Sequence, residues 1–152
     1  MDYDVAVVPV PAAPTAVVRQ STTWDEFPKL WGDLLAEVWA VVRAAPGVVP
    51  GRNVMLYEDE VPNIEVGVEV GGPFHATGRV VPSNLPEGRA AMTISRGAPS
   101  AGGLAAAHAA VIDWCRANGH ELAGRRWEIY GHWRDDQDPS EFETEVYWLL
   151  TD

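Results

Sequence analysis

Gly124-Arg125-Arg126-Trp127-Glu128-Ile129-Tyr130 repeats the outline of an earlier heptapeptide, Gly51-Arg52-Asn53-Val54-Met55-Leu56-Tyr57. Both segments begin with Gly-Arg and end with an aliphatic residue followed by tyrosine. When the two are aligned on their glycines, Met55 of the first copy corresponds to Glu128 of the second. A carboxylate at a position that is apolar in the other copy requires a reason, because burying an unpaired charge is costly. Glu128 is therefore the first candidate for a functional residue.

The segments on either side of these heptapeptides also correspond. A strand-like segment precedes a helix-like stretch in each half, Thr15-Ala16-Val17-Val18-Arg19 in the first and Ala91-Met92-Thr93-Ile94-Ser95-Arg96 in the second. A second strand follows each heptapeptide and contains Ile64-Glu65-Val66 or Thr144-Glu145-Val146. The order β-α-β-β thus occurs twice. Such an order predicts an α+β domain whose helices pack on one face of an antiparallel sheet.

Apolar periodicity and turn residues set the expected boundaries. Thr23 and Glu26 have the spacing of a capping box at the start of the first helix, and Gly119 is placed to end the second. We predict a single domain over 1–152, with repeat one at about 4–70, a connector at 71–87 and repeat two at about 88–150. The predicted elements are a strand over 4–19 that its prolines bend or interrupt and that resumes at Ala16-Val17-Val18, a helix over 24–44, strands over 52–58, 63–70, 78–82 and 89–96, a helix from Pro99-Ser100, and strands over 125–133 and 142–150.

The composition is that of a soluble globular protein. Of the 152 residues, 47% are apolar and 22% are charged, which suits one domain with a substantial core. No apolar run approaches the roughly 20 residues that a membrane helix needs, and the first residues carry no basic cluster typical of a signal peptide. The one cysteine, Cys115, excludes an internal disulfide and fits a reducing compartment. We therefore expect a cytoplasmic protein that does not insert into membranes.

The chain is strongly acidic. Its 22 acidic and 11 basic residues give a formal net charge of −11. Direct binding of nucleic acid is not expected, because phosphate recognition relies on clustered Lys and Arg. An acidic protein attracts cationic ligands or a basic protein partner instead. The alternative is that the charge serves solubility alone.

The candidate binding residues lie on the predicted strands. Glu128 and Tyr130 share one strand face, which we expect to be the face turned away from the helices. A glutamate surrounded there by aromatic rings would suit a cationic ligand; the alternative is a solvent-facing glutamate on an edge strand. Glu145 and Tyr147 share a face of the last strand, and Tyr57 occupies the position that Tyr130 holds in the other repeat. Tyrosines at strand ends also serve packing alone.

The sequence lacks the motifs of metal sites, nucleophilic hydrolases and phosphate-binding loops. The histidines His75, His108, His120 and His132 are scattered, so no metal is expected. His108 lies on an apolar helix stripe, where a hydrogen-bonded core histidine is the simpler interpretation. Cys115 has no activating neighbour, and there is neither a Gly-x-Ser-x-Gly elbow nor a phosphate-binding glycine loop. We therefore expect no cofactor. Glu128 and Glu145 could form a glycosidase-like pair of carboxylates, but the indication is weak, because glutamates on neighbouring strands are common.

Three segments together resemble the GyrI-like small-molecule-binding domain, the effector-binding module of AraC- and MerR-type regulators. They are Leu85-Pro86-Glu87-Gly88, the heptapeptide 124–130, and the closing Thr144-Glu145-Val146-Tyr147-Trp148-Leu149-Leu150. The resemblance implies a duplicated β-α-β-β (SHS2-like) fold with a ligand groove between pseudo-symmetric halves. It also implies a groove glutamate that meets cationic, lipophilic ligands among aromatic side chains. The closing strand lacks the usual proline of the family pattern, aromatic-x-Pro-Leu, which leaves the direction of Tyr147 open.

By this resemblance Glu128 matches the groove glutamate and Tyr147 the closing-strand tyrosine. Together with the candidates on the predicted strands, the predicted ligand-binding set is Glu128, Tyr57, Tyr130, Tyr147, Met55 and Glu145. Three functions follow as hypotheses. The first is binding of an amphipathic cation or aromatic drug, and the second is cofactor-free hydrolysis of strained electrophiles such as cyclopropane-containing cytotoxins by Glu128 and Tyr147. The third is inhibition of a gyrase-like partner through the acidic turns Glu58-Asp59-Glu60 and Asp135-Asp136. A role in transcription would need a separate DNA-binding partner, and the sequence does not fix the oligomeric state.

Overall fold

A computed structural model describes residues 3–97, 101–132, 136 and 138–151. The fold is α+β, and the predicted order β-α-β-β occurs twice, as β2-α1-β3-β4 and β6-α2-β7-β8. The strands are β1 (Ala6–Val10), β2 (Ala13–Ser21), β3 (Val49–Tyr57), β4 (Asn63–Gly71), β5 (Val80–Leu85), β6 (Gly88–Arg96), β7 (Leu122–Tyr130) and β8 (Glu143–Leu150). The helices are α1 (Phe27–Ala44) and α2 (Ala101–Ala117), with a short 3-10 turn at Pro139–Glu141. The predicted start of the second helix, Pro99-Ser100, lies outside the described residues.

The chain divides into two compact units with the same topology. The first unit comprises the residues up to 10 together with those from 87 onward, and the second comprises residues 11–86. In the first unit the strand order is β1-β6-β8-β7, and in the second it is β5-β2-β4-β3. Neighbouring strands within each unit pair antiparallel. In its described residues each unit therefore has one α-helix and four strands.

The structure refines the sequence predictions about local structure at two places. The segment 4–19 forms two strands, β1 and β2, which pair in different units. Pro11 lies between them, and a proline cannot donate a hydrogen bond to a strand ladder. Each Gly-Arg pair lies inside a strand, the first in β3 and the second in β7, where the pairing register shifts between Pro50 and Asn53 and between Leu122 and Arg126. They are β-bulges, and the second contains Gly124 at a φ of +106°.

Each helix buries one stripe against the sheet of its own unit. In α2 the buried residues Ala107, Val111 and Cys115 recur every four positions. They belong to one cluster with Ala91 of β6 and with Val146, Trp148 and Leu150 of β8. In α1 the buried residues are Leu34, Val38 and Val42. Among the described residues no helix is long and apolar enough to cross a membrane.

Cys115 is expected to be chemically inert in the folded protein. It is 0% exposed, and desolvation by burial raises the pKa of its thiol above the usual value. Since the thiolate is the reactive form, a disulfide reagent at pH 8 should label the native protein far more slowly than the protein in denaturant. Equal labelling rates in the two conditions would contradict this packing of α2.

Candidate functional site

Glu128 lies on the face of β7 that α2 covers. It pairs across strands with Val146, a member of the cluster beneath α2, and only 2% of Glu128 is exposed. Its carboxylate Oε2 lies 2.7 Å from Nε2 of His108 on α2, and its Oε1 accepts a hydrogen bond from the hydroxyl of Tyr130. The prediction that Glu128 faces away from the helices is therefore wrong. The reason is that two donors satisfy the buried carboxylate on the helix side.

His108 connects Glu128 to the last strand. Its Nδ1 lies 2.8 Å from the indole Nε1 of Trp148, and the two rings meet edge to face. The guanidinium of Arg126 lies over the indole ring of Trp148, 5.0 Å from its centroid. The interpretation of His108 as a hydrogen-bonded core histidine is confirmed. Sequence reasoning did not identify its partner, because residues 108 and 128 meet only through packing.

Tyr147 and Glu145 lie on the opposite face of the same strand pair. Tyr147 pairs with Trp127 and Glu145 with Ile129, whereas Glu128 pairs with Val146. Because successive side chains of a strand point to opposite faces, Glu128 and Tyr147 are on different sides of the sheet. The structure therefore does not bring these two residues together on one face of the sheet.

The face that carries Tyr147 combines a carboxylate with apolar and aromatic side chains. Glu145 is half-buried between two isoleucines of the neighbouring strands, Ile94 and Ile129. The ring of Tyr147 stacks on that of Trp127, with centroids 5.2 Å apart and planes 7° from parallel. The hydroxyl of Tyr147 donates to Oε1 of Glu145 at 2.5 Å. We call this surface the open face; it consists of Met92, Ile94, Trp127, Ile129, Glu145 and Tyr147.

Four members of the open face were not among the predicted binding residues. They join it because β6, β8 and β7 are paired in the registers Met92–Tyr147–Trp127 and Ile94–Glu145–Ile129. In the described part of this unit, α2 is the one helix, and it packs on the other face. The available signal was the alternation of Trp127 and Ile129 with Glu128, which places these apolar residues together on one face.

The two remaining predicted residues lie in the second unit. Met55 is 3% exposed and Tyr57 is 9% exposed, on the face of β3 that α1 covers. The ring of Tyr57 contacts Trp24 and Phe27 at the start of α1, each with centroids 5.7 Å apart. Within this unit Tyr57 therefore packs against the segment that begins the helix.

The two acidic turns are Glu58-Asp59-Glu60 and Asp135-Asp136. In the first, Asp59 accepts hydrogen bonds from the backbone N–H groups of Val61 and Asn63 and from the Asn63 side chain, so it shapes its own turn. In the second, Asp135 lies outside the described residues. Across the described ranges, no group of three or more His, Cys, Asp or Glu side chains is arranged to hold a metal ion.

Comparison with solved structures identifies the fold. The C-terminal domain of EcmrR superposes with a TM-score of 0.81 at 21% identity, covering 99% of this chain and 98% of that domain. SAV2435 bound to tetraphenylphosphonium gives 0.68 at 10% identity, covering 99% and 94%. A hydrolase from Listeria innocua gives 0.63 at 12% identity, covering 97% and 91%. At these identities the likeness establishes the fold alone.

Comparison with protein families gives the assignment. No match was found among the curated proteins. The family described as the GyrI-like small molecule binding domain, in contrast, matches residues 3–151, which is nearly the whole chain. The match confirms the family that the three sequence segments indicated. The chain therefore belongs to the family of GyrI-like small-molecule-binding domains.

Proposed function

We propose that this protein binds an amphipathic, aromatic cation on the open face. The observation that carries the proposal is Glu145, a half-buried carboxylate flanked by Ile94 and Ile129 and hydrogen-bonded by Tyr147. A ligand that is both lipophilic and positively charged matches this combination, whereas a neutral apolar ligand would leave the carboxylate desolvated. SAV2435, which has the same fold, was solved with tetraphenylphosphonium, a ligand of this class.

The stacked rings supply the second part of the binding energy. Trp127 is 2% exposed and Tyr147 is half-buried, so Tyr147 is the more accessible of the two rings. A cation over an aromatic face gains about 0.5–2 kcal/mol, more as water is excluded. The bond from Tyr147 to Glu145 holds the ring and the carboxylate together. A ligand would therefore meet a prepared surface, which reduces the ordering cost of binding.

Replacing Glu145 with glutamine should weaken binding of tetraphenylphosphonium about tenfold or more, because two unit charges about 6 Å apart attract each other by roughly 3 kcal/mol at an effective dielectric constant of about 20, and tenfold in affinity corresponds to about 1.4 kcal/mol. Tyr147→Phe should have a smaller effect, since it keeps the ring and loses only the bond to Glu145. Isothermal titration calorimetry measures both. Asp113→Asn on exposed α2 removes the same charge far from the open face and is the matched control. If Asp113→Asn weakens binding as much as Glu145→Gln, the net charge and not this site attracts the ligand.

Hydrolysis of a strained electrophile is the second candidate, and it requires a different residue pair from the one that the sequence suggested. Glu145 and Tyr147 share a face and are in hydrogen-bond contact at 2.5 Å. In such a pair the carboxylate would act as the base for a water molecule, and the phenol would protonate the leaving group. The pair needs no metal for this chemistry.

Mass spectrometry of a cyclopropane-bearing alkylator incubated with the protein separates the two functions. Catalytic product that disappears in both Glu145→Gln and Tyr147→Phe would support hydrolysis on the open face. Protection of the compound in a one-to-one ratio, with no turnover, would leave binding as the function. Inhibition of a gyrase-like partner stays a prediction from the acidic charge.

A further inference from the structure

Glu65 of the second unit corresponds to Glu145 of the first. Each glutamate pairs across the strands with the aliphatic residue that precedes the tyrosine of its heptapeptide, Glu65 with Leu56 and Glu145 with Ile129. Tyr57 is on the face that α1 covers, so its neighbour Leu56 is on the other face, together with Glu65. In both units, therefore, a glutamate lies on the side of the strands away from the helix.

The carboxylate of Glu65 is held by two side chains of its own unit. Nε of Arg19 on β2 donates to its Oε2 at 3.2 Å, and the hydroxyl of Ser83 on β5 donates to its Oε1 at 2.7 Å. Nη2 of Arg19 also lies 3.4 Å from the Ser83 hydroxyl. The side chain of Glu65 is 9% exposed, whereas that of Arg19 is 60% exposed. The guanidinium therefore lies between the buried carboxylate and the solvent.

Arg19 and Glu65 line a cavity of about 390 Å³ in the second unit. The cavity is polar, since Ser21, Glu58 and Asn63 also line it. A group tethered to the same chain has an effective concentration on the order of millimolar. A cation dissolved at micromolar concentration would therefore not displace the guanidinium from Glu65. Arg19 acts as a built-in cation of this cavity.

The first unit has an apolar residue at the corresponding position. Glu65 pairs across the strands with Arg19 of β2, and Glu145 pairs in the same way with Ile94 of β6. Ile94 is half-buried, and its side chain can form neither an ion pair nor a hydrogen bond. The two units thus differ in charge at the position that faces the glutamate.

The aromatic rings differ between the units as well. Val54 faces Gly67 in the second unit, at the place where Trp127 faces Tyr147 in the first. The second unit therefore offers a lipophilic cation no ring at either of these two positions. A cation that reached Glu65 would gain from its charge alone.

We propose that the residue facing the glutamate across the strands is the specificity-determining position of each unit. Arg19 neutralises Glu65 and excludes a ligand cation there, whereas Ile94 leaves the place beside Glu145 to the ligand. The first unit then binds the lipophilic cation, and the second does not. The inference rests on the proposed function in one respect, that Glu145 meets the ligand, and its claim about Arg19 concerns the other unit.

Ile94→Arg tests the proposal in the first unit, because it places a guanidinium where Arg19 reaches the glutamate in the second. We expect this variant to bind tetraphenylphosphonium at least about tenfold more weakly than Ile94→Met, which differs from it in charge and not in position. Titration calorimetry measures both affinities. Ala105→Arg adds the same charge on the exposed side of α2 and is the matched control, with an affinity close to that of the native protein. Ile94→Lys replaces Ile94→Arg if circular dichroism melting curves show that the arginine variant is unfolded.

Arg19→Met tests the proposal in the second unit, because it removes the built-in cation. The titration is done in the Glu145→Gln background, in which the open face is weakened. Arg19→Met should then bind tetraphenylphosphonium about fivefold more tightly than the same protein with Glu65→Gln added, the ratio that two unit charges about 4 Å apart give even in bulk water. This gain is smaller than the loss in Ile94→Arg because the second unit lacks the two rings.

Equal affinities of Ile94→Arg and Ile94→Met would overturn the proposal for the first unit. Equal affinities with and without Glu65→Gln in the Arg19→Met protein would overturn it for the second. Failure of the proposed function is read separately, from a tetraphenylphosphonium affinity that Glu145→Gln alone leaves unchanged. In that case the comparison at Glu65 still decides the role of Arg19.

Discussion

Gly67→Ala is expected to cause the largest loss of stability of any single-methyl addition to the second unit. A Cβ atom on Gly67 would lie 1.9 Å from the carbonyl oxygen of Ala16 and 2.8 Å from Cγ1 of Val17. Gly67 is in β4, which is paired on both sides, with β2 and β3, so neither backbone can move without breaking a ladder. We expect the free energy of unfolding to fall by at least about 3 kcal/mol, because overpacking against backbone has no side-chain relief. For a chain of this length that corresponds to a melting temperature lower by roughly 10 °C.

Gly32→Ala is the control, because the same methyl group is added where it meets nothing within 4 Å. Gly32 lies in the middle of α1, so alanine should raise the stability by about 0.5–1 kcal/mol. Thermal or urea unfolding of the two variants measures both changes. If the Gly67→Ala variant has the same melting temperature as the native protein, the described pairing of β2 with β4 is incorrect.

Glu128→Met is expected to destabilise the first unit, although methionine stands at the corresponding position of the other repeat. Met55 is buried among apolar neighbours, but Glu128 is the acceptor for both His108 and Tyr130. Each partly buried donor that loses its acceptor costs about 1–3 kcal/mol. We therefore expect a loss of about 2–4 kcal/mol in the free energy of unfolding, measured by urea denaturation.

Glu121→Met is the matched control, because Glu121 is exposed and lies just before β7. Its replacement should change stability by no more than about 0.5 kcal/mol. The double variant Glu128→Met/Tyr130→Phe should recover part of the loss, since it removes one of the two donors left unsatisfied. A Glu128→Met protein as stable as the native one would mean that this carboxylate is not held as the structure describes.

The sequence predicted the order of elements because the repeat carries its own markers. Gly-Arg, the aliphatic-tyrosine ends and the apolar spacing of α1 and α2 all depend on neighbours close in the chain. The bulges at Gly51-Arg52 and Gly124-Arg125 were not predicted, since a shift in pairing register depends on the partner strand. The pairing of β1 with β6 was not predicted for a similar reason, because the two strands are about 80 residues apart in the chain.

The candidate site shows the same limit at the level of single residues. Alternation along β7 correctly separated Glu128 and Tyr130 from Trp127 and Ile129. It did not decide which pair faces α2. That choice depends on His108, whose imidazole reaches Glu128 from a helix 20 positions earlier in the chain. Because the closing strand lacks the usual proline, the sequence did not decide which face of the sheet Tyr147 is on. The pairing of Tyr147 with Trp127 places it on the face opposite to Glu128.

A crystal structure of the protein with tetraphenylphosphonium tests the central proposal most directly. We expect a phenyl ring of the ligand to lie on the ring of Tyr147, with the phosphonium centre close to the carboxylate of Glu145. Ile94 and Ile129, which flank Glu145 on the neighbouring strands, should contact the remaining phenyl rings. A ligand that is bound elsewhere, with Trp127, Glu145 and Tyr147 free of contact, would contradict the assignment of the open face as the binding site.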